Sequence, residues 1–193
     1  MSLAIVDLGY GNLGSIARAF DRLGVTATRT ADPAVLRAAG RVVLPGVGAA
    51  GYAMGRIADL GLTEVLRDLT QPVLGICLGM QLLFEASDEQ DTACLGLIGG
   101  RVRRLRSSPG VTVPHMGWSR LTVAEEAPGL ADGDYVYFAH SFACEDGPWT
   151  VATATHGVRV PAVVRQGNVL GAQFHPERSG PAGARFLKGF LAS

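Results

Sequence analysis

The chain lacks an excess of either charge: 17 Lys and Arg balance 17 Asp and Glu, giving a formal net charge of +0. Net charge therefore implies no polyanionic partner, and no nucleic acid is expected. Cysteine is scarce. The three residues present, Cys77, Cys94 and Cys144, are odd in number and widely spaced, which argues against a disulfide framework. No apolar run approaches the ~18 residues that a membrane-crossing helix needs. The first residues enter a strand-like run, Leu3-Ala4-Ile5-Val6, with no basic start and no signal-type apolar core. His115, His140 and His156 show no metal-ligand spacing with one another or with Cys94 and Cys144. The expectation is thus no metal, no cofactor, no membrane and a cytoplasmic location, the reducing compartment that suits a reactive thiol. Internal repeats, low-complexity segments and linkers are also missing.

What is present reads as one domain over residues 1–193, large enough to bury roughly 70% of its unfolded surface. Hydrophobic residues make up 48% and charged residues 18%, a globular balance without a disorder signal. Short apolar or β-branched runs predict strands at 3–7, 26–29, 42–44 and 73–76. Helical spacing separates them: Leu13, Ile16, Ala17, Phe20 and Leu23, then residues 35–39 after Asp32-Pro33, then Leu62, Val65, Leu66 and Leu69. Strand followed by helix, repeated, predicts an α/β fold with a mainly parallel central sheet and flanking helices. Beyond residue 100 the texture becomes strand-rich, with strands expected at 102–105, 118–123, 135–142, 150–155, 158–165 and 169–174. Loops are expected at 107–110 and 125–134, and a closing helix at 182–191.

The most informative segment is Gly75-Ile76-Cys77-Leu78-Gly79. It places a thiol between two glycines where the strand-like run 72–76 meets a helical pattern, Leu78, Met80, Leu82, Leu83 and Phe84. That is the strand-turn-helix signature of a nucleophile elbow, with Cys in place of Ser. The turn crowds the nucleophile, so small flanking residues are required. It also sets Cys77 at a helix N-terminus, where unpaired N–H groups favour a thiolate. A free thiol of pKa ~8.5 is only ~3% ionised at neutral pH, so the placement is chemically useful. Much later comes His175-Pro176-Glu177. Residues two apart on an extended chain share a face, so the Glu177 carboxylate can orient the His175 imidazole. Cys77, His175 and Glu177 form a candidate catalytic triad.

Other motifs carry less weight. Gly9-Tyr10-Gly11-Asn12-Leu13-Gly14, with Asp32 further on, is a literal G-x-G-x-x-G and supports an alternative reading as a dinucleotide-binding protein. Asp7, at the strand end, would repel the pyrophosphate there. Leu44-Pro45-Gly46-Val47-Gly48 ends the third strand in a glycine-rich loop. Beside an elbow, it can supply the second N–H donor of an oxyanion hole whose first donor is Leu78, and Gly46 and Gly48 would permit a peptide flip. The run Arg101-Val102-Arg103-Arg104-Leu105-Arg106 lacks interleaved aromatics and reads as a solvated strand or docking edge.

Together these residues resemble the class I (triad) glutamine amidotransferases, and among them the glutaminase subunits of imidazole glycerol phosphate synthase. The resemblance runs from end to end. It covers Ile5-Val6-Asp7 with Gly11-Asn12-Leu13, then Leu44 to Gly48, then Gly75 to Phe84. Pro114-His115-Met116-Gly117-Trp118, Tyr137-Phe138-Ala139-His140-Ser141-Phe142 and Gln173-Phe174-His175-Pro176-Glu177 complete it. Ser119 stands where the family usually has Asn, and Arg178 where it usually has Lys. Leu8, Tyr10 and Phe142 also depart from it, and no triad member is lost.

The resemblance implies that Cys77 attacks the side-chain amide of glutamine while His175 protonates the departing ammonia. It assigns Gln81, His140, Ser141 and Phe142 to substrate binding, and Gly46, Val47 and Leu78 to the oxyanion hole. It also implies a heterodimer with a (β/α)₈-barrel cyclase subunit that receives the ammonia. There, ammonia yields imidazole glycerol phosphate and the aminoimidazole carboxamide ribotide, with Asn12, Trp118, Tyr137 and Arg178 at or near the docking face. Glutaminase subunits of other synthases, such as those for anthranilate or pyridoxal phosphate, differ in the oxyanion and elbow sequences. In a plain α/β thiol hydrolase the order is nucleophile, acid, base, whereas here base and acid share one segment.

Overall fold

The computed structural model describes residues 2–124 and 127–193. Along the chain come β1 (Leu3–Val6), α1 (Leu13–Asp21), β2 (Ala27–Thr30), α2 (Pro33–Ala38), β3 (Arg41–Gly46), α3 (Ala50–Asp59), α4 (Thr63–Arg67), β4 (Val73–Cys77) and α5 (Leu78–Gln81). There follow β5 (Phe84–Ser87), β6 (Thr92–Ala93), β7 (Ile98–Arg104), β8 (His115–Val123), β9 (Tyr135–His140), β10 (Phe142–Cys144), β11 (Thr150–His156), β12 (Val158–Gln166), β13 (Val169–Ala172) and α6 (Gly180–Ala192). Two 3₁₀ turns, Glu89–Asp91 and Pro176–Arg178, complete the path.

The main sheet has the order β2-β1-β3-β4-β13-β12-β11-β8-β9. From β2 to β13 every ladder is parallel; from β13 to β9 every ladder is antiparallel. The expected parallel character thus holds for the first half, and the strand-rich second half extends the same sheet. A smaller sheet, β10-β7-β5-β6, lies beside it.

Why these residues make these layers is visible in β1. Its four residues are all buried and alternate between faces: Ala4 and Val6 join one core, Leu3 and Ile5 the other. Such two-faced burial belongs to a strand covered on both sides. On one face Leu36 of α2, Ala53 and Ile57 of α3 and Leu66 of α4 pack together with Phe84, Ile98 and Val102 of the smaller sheet. On the other, Ile16 and Phe20 of α1 meet Phe186 and Phe190 of α6. No helix among the described residues is long and apolar enough to cross a membrane.

The structure departs from the expectations in several places. The helix expected over Leu78 to Phe84 is one turn long, and Phe84 opens β5. Its backbone is drawn off because the N–H groups of Leu97 and Ile98 bond to the Leu83 carbonyl, aligning residues 84–87 with β7. The strand expected at 135–142 breaks at Ser141, where the chain leaves the main sheet for the smaller one. Helix α3 was not expected at all. The strand expected at 169–174 stops at Ala172, and that at 102–105 begins at Ile98. Of the loop expected at 125–134, Glu125 and Glu126 lie outside the described residues.

Candidate active site

Cys77 ends β4 and precedes α5 with φ 55° and ψ −112°. A non-glycine residue there carries roughly 1–3 kcal/mol of backbone strain, a cost that persists only where the surroundings enforce it. Three glycines do so. A Cβ on Gly75 would sit 2.6 Å from the Gly79 carbonyl oxygen. One on Gly79 would overlap the Leu44 carbonyl oxygen, and one on Gly46 would overlap the Gly79 nitrogen. Bare backbone therefore lets β3, β4 and α5 close on one another, and Gly46 lies directly beside Cys77 in the β3–β4 register. Val47 and Gly48 follow at the mouth, Val47 exposed and Gly48 at φ +84°.

Beside β4 in the sheet is β13, with Ala172 opposite Ile76. The chain beyond β13 brings Gln173 and His175 to the elbow. The His175 N–H bonds the Tyr137 carbonyl at 2.9 Å, and its own carbonyl accepts from the Ser179 hydroxyl at 2.7 Å. Residues 176–178 form a 3₁₀ turn and not the extended segment expected from the sequence, because Pro176 starts a helical turn readily. The Glu177 carboxylate still reaches back, with Oε1 2.9 Å from His175 Nδ1. Both side chains are largely buried, and Glu177 Oε2 has no hydrogen-bond partner among the described residues. Burial pulls the His175 imidazole down, but the neighbouring Cys77 sulfur and the hydrogen bond to Glu177 outweigh it and raise its pKa to about 10. That keeps the His175 imidazolium protonated at neutral pH. The other two cysteines are inert by contrast: burial pushes Cys94 up to about 11 and Cys144 higher still.

A cleft opens over the sulfur, lined by Val47, Gly48, Leu78, Gln81, His140 and Phe142 among others. Gln81, buried on α5, donates through Nε2 to the Phe142 carbonyl at 2.8 Å and to Gln173 Oε1 at 3.0 Å. Gln173 Nε2 in turn faces Cys77 Sγ at 3.9 Å, and the Ala139 carbonyl lies 3.8 Å from the same sulfur. Ser141 sits at the sheet-to-sheet break, its carbonyl accepting from Leu105 N. The structure thus brings Cys77, His175, Glu177, Gly46, Val47, Leu78, Gln81, His140 and Phe142 to one place. It adds Gln173 and Glu89, to which the sequence reading assigned no role. Glu89 lines the cleft while its Oε2 accepts from Ala50 N at 2.7 Å, capping α3 from a distant loop. No local pattern around residue 89 signals this.

The remaining candidates lie at the rim. Trp118 is exposed and meets Tyr137 edge to face at 6.1 Å, and the Arg178 guanidinium stands 5.2 Å over the Tyr137 ring. Asn12 caps α1, its Oδ1 accepting from Ser15 N at 3.3 Å. This also commits the G-x-G-x-x-G turn: the Asp7 carboxylate accepts from Gly9 N at 2.8 Å, where a pyrophosphate would need free donors. Asp32 is engaged as the cap of α2, accepting from Ala34 N. In the basic run, Arg101 pairs with Asp88 and Asp91, and Arg103 with Asp88 and Glu145.

The sequence matches the family described as glutamine amidotransferase class-I over residues 4–193. It is 50% identical over 192 residues to the imidazole glycerol phosphate synthase subunit HisH of Xylella fastidiosa strain Temecula1, spanning 98% of this chain and 96% of that one. It is 49% identical, with the same coverage, to the subunit of that name from Xanthomonas axonopodis pv. citri. Among solved structures, one described as a glutamine amidotransferase aligns with TM-score 0.79 and 22% identity over 100% of this chain and 98% of that one. The glutaminase domain of Trypanosoma brucei CTPS, with bound acivicin, aligns with TM-score 0.66 and 15% identity over 100% and 94%. The chain belongs to the class I glutamine amidotransferases, glutaminase enzymes, and within them to the HisH subunits of imidazole glycerol phosphate synthase.

Proposed function

We propose that residues 1–193 act as one cytoplasmic glutaminase domain whose Cys77 thiolate attacks the side-chain carbonyl carbon of glutamine. The developing oxyanion is held by N–H groups of Leu78 and of the Gly46–Val47 segment. The His175 imidazolium passes its proton to the amide nitrogen as the C–N bond breaks, which releases ammonia and leaves a γ-glutamyl thioester. A water then gives its proton to His175 and attacks the thioester, freeing glutamate and restoring the thiolate. Glu177 holds the imidazole through Nδ1. Gln81, His140, Ser141 and Phe142 bound the substrate, and the Glu89 carboxylate suits its α-ammonium. The observation that carries the reading is Cys77 in a strained elbow beside a His175–Glu177 pair held at 2.9 Å.

The ammonia is used by a partner, a (β/α)₈-barrel cyclase that docks where Asn12, Trp118, Tyr137 and Arg178 lie. Exposed Met116 and Tyr135 extend that apolar rim. In the partner, ammonia meets the phosphoribulosyl-formimino intermediate and gives imidazole glycerol phosphate and the aminoimidazole carboxamide ribotide. The Gly46-Val47-Gly48 segment acts as a latch. With its donor turned away, one oxyanion bond is missing, which costs roughly 10²–10³-fold in rate. The test is glutamate release by the purified chain, by the chain with its barrel partner, and by the complex with the partner's substrate. Activity should be low alone and rise by about that factor in the full assembly. Full activity in the isolated chain would remove the latch, and no glutaminase activity in any assembly would remove the whole proposal.

A further inference from the structure

His115 and Ser119, both on β8, are polar residues that the reaction as written does not use, yet they join the site through a continuous chain of hydrogen bonds. His115 Nε2 lies 2.8 Å from the Ser119 hydroxyl, and His115 Nδ1 lies 3.0 Å from His140 Nε2. His140 Nδ1 lies 2.8 Å from the Phe142 carbonyl oxygen. We propose that Ser119 and His115 are positioning residues for glutamine binding. They hold His140 in its Nδ1–H form and, through it, fix the Phe142 carbonyl and Gln81. The inference rests on the reading of Gln81 and the Phe142 segment as substrate-holding.

The direction of the chain follows from what each atom can do. A carbonyl oxygen only accepts, so His140 Nδ1 carries the proton. Both imidazoles are buried, at 2% and 6% exposure for His115 and His140. Burial above all holds them neutral, lowering His115 to about 3 and His140 to about 4. Each ring therefore has one N–H. His140 Nε2 must then accept, and the N–H of His115 Nδ1 is its donor. This leaves His115 Nε2 as an acceptor, and the Ser119 O–H supplies the last bond. The ring of His115 cannot turn freely, because it is stacked between Phe138 at 4.5 Å and His156 at 4.0 Å.

At the other end the Phe142 oxygen accepts a second bond from Gln81, which bonds Gln173 beside the nucleophile. Reversing His140 to its Nε2–H form would point the Nδ1 lone pair at the Phe142 oxygen and leave that oxygen with the Gln81 bond alone on its side-chain side. A hydroxyl and a side-chain amide can both donate to His115 Nε2. That accounts for Ser119 at a position where the resembling family usually carries Asn.

The test combines ring-nitrogen NMR on the full chain with kinetics on its complex with the partner subunit, for His115→Phe, Ser119→Ala, Ser119→Asn and Gln81→Ala. In the parent protein His140 should show a protonated Nδ1 and a bare Nε2. His115→Phe keeps the stack but removes the donor. It should mix the His140 forms and raise KM for glutamine on the order of ten-fold, the scale of one hydrogen bond, with kcat changed less than about two-fold. Ser119→Ala should do the same to a smaller extent, and Ser119→Asn should restore parent behaviour. A His140 protonated at Nε2 in the parent protein would overturn the proposal. So would an unchanged KM in both His115→Phe and Ser119→Ala while Gln81→Ala raises it. If Gln81→Ala leaves KM unchanged, the substrate-holding reading fails first and takes this inference with it.

Discussion

Replacing Glu177 by Gln removes a charge from the site while preserving its shape. The carboxylate is nearly buried and stands 2.9 Å from His175 Nδ1, and an amide oxygen can occupy the same point. What disappears is the charge-assisted part of the bond. Hydrogen bonds to charged groups contribute about 1.5–3 kcal/mol against about 1 kcal/mol for neutral ones, a difference of about 0.5–2 kcal/mol or roughly 2–30-fold in kcat. His175→Ala, which deletes the imidazole proposed as the proton carrier, should cost more, roughly 10²–10⁴-fold. The two variants should also differ in pH response. His175 is raised to about 10 by the Cys77 sulfur and Glu177 against its burial. The imidazolium and the stability it contributes are therefore complete below the free imidazole value of ~6.5. Both are lost as pH rises through the folded value. Without the carboxylate, that alkaline loss should move to lower pH. The assay is glutamate release in the assembled complex across pH, with unfolding midpoints measured alongside. A Glu177→Gln enzyme slower than His175→Ala, or an alkaline limb that stays in place, would refute the assigned roles.

Cys77→Ala should abolish glutamine-dependent turnover and leave ammonia-dependent turnover of the complex intact; assays with glutamine and with ammonium salts separate the two. Gly79→Ala drives a methyl into the Leu44 carbonyl and should destabilise the fold by about 1–3 kcal/mol or more, read by denaturant unfolding. Trp118→Ala removes an exposed ring and should weaken association with the partner subunit by roughly ten-fold or more without altering thermal unfolding, since aromatic anchors carry much of an interface's energy. Calorimetric titration of the two subunits checks it.

Residues that act through their immediate neighbours were the ones legible in the sequence. Gly75, Cys77 and Gly79 announce the elbow because the crowding they relieve is local. The alternating helices and strands of the first half reveal a parallel sheet because amphipathic periods are local too. Helix α3 escaped because Ala49 offers no side-chain cap; the cap comes from Glu89, 39 residues beyond Ala50. The helix after Cys77 was overestimated for the same reason: Leu82, Leu83 and Phe84 are apolar on any pattern, and only pairing with β7 makes Phe84 a strand residue. His115 shows no ligand spacing in sequence, and its link to His140 appears only when β8 and β9 pair them in register.

The position of β13 has a consequence for how the enzyme comes into being on the ribosome. This strand follows every other strand of the main sheet in the chain, yet it lies in the middle of that sheet, between β4 and β12. Until it emerges, the strand that carries Cys77 has one bare edge, and His175 is not yet beside it. A nascent chain can therefore fold much of its first half, but it holds only an unpaired thiol. The elbow gains the His175–Glu177 pair only once the segment from β13 onward takes its place beside β4. Late insertion of a central strand joins residues far apart in sequence, the kind of contact that slows folding and leaves open edges available for misassociation. Chains interrupted before residue 169 should accumulate as aggregation-prone, inactive species.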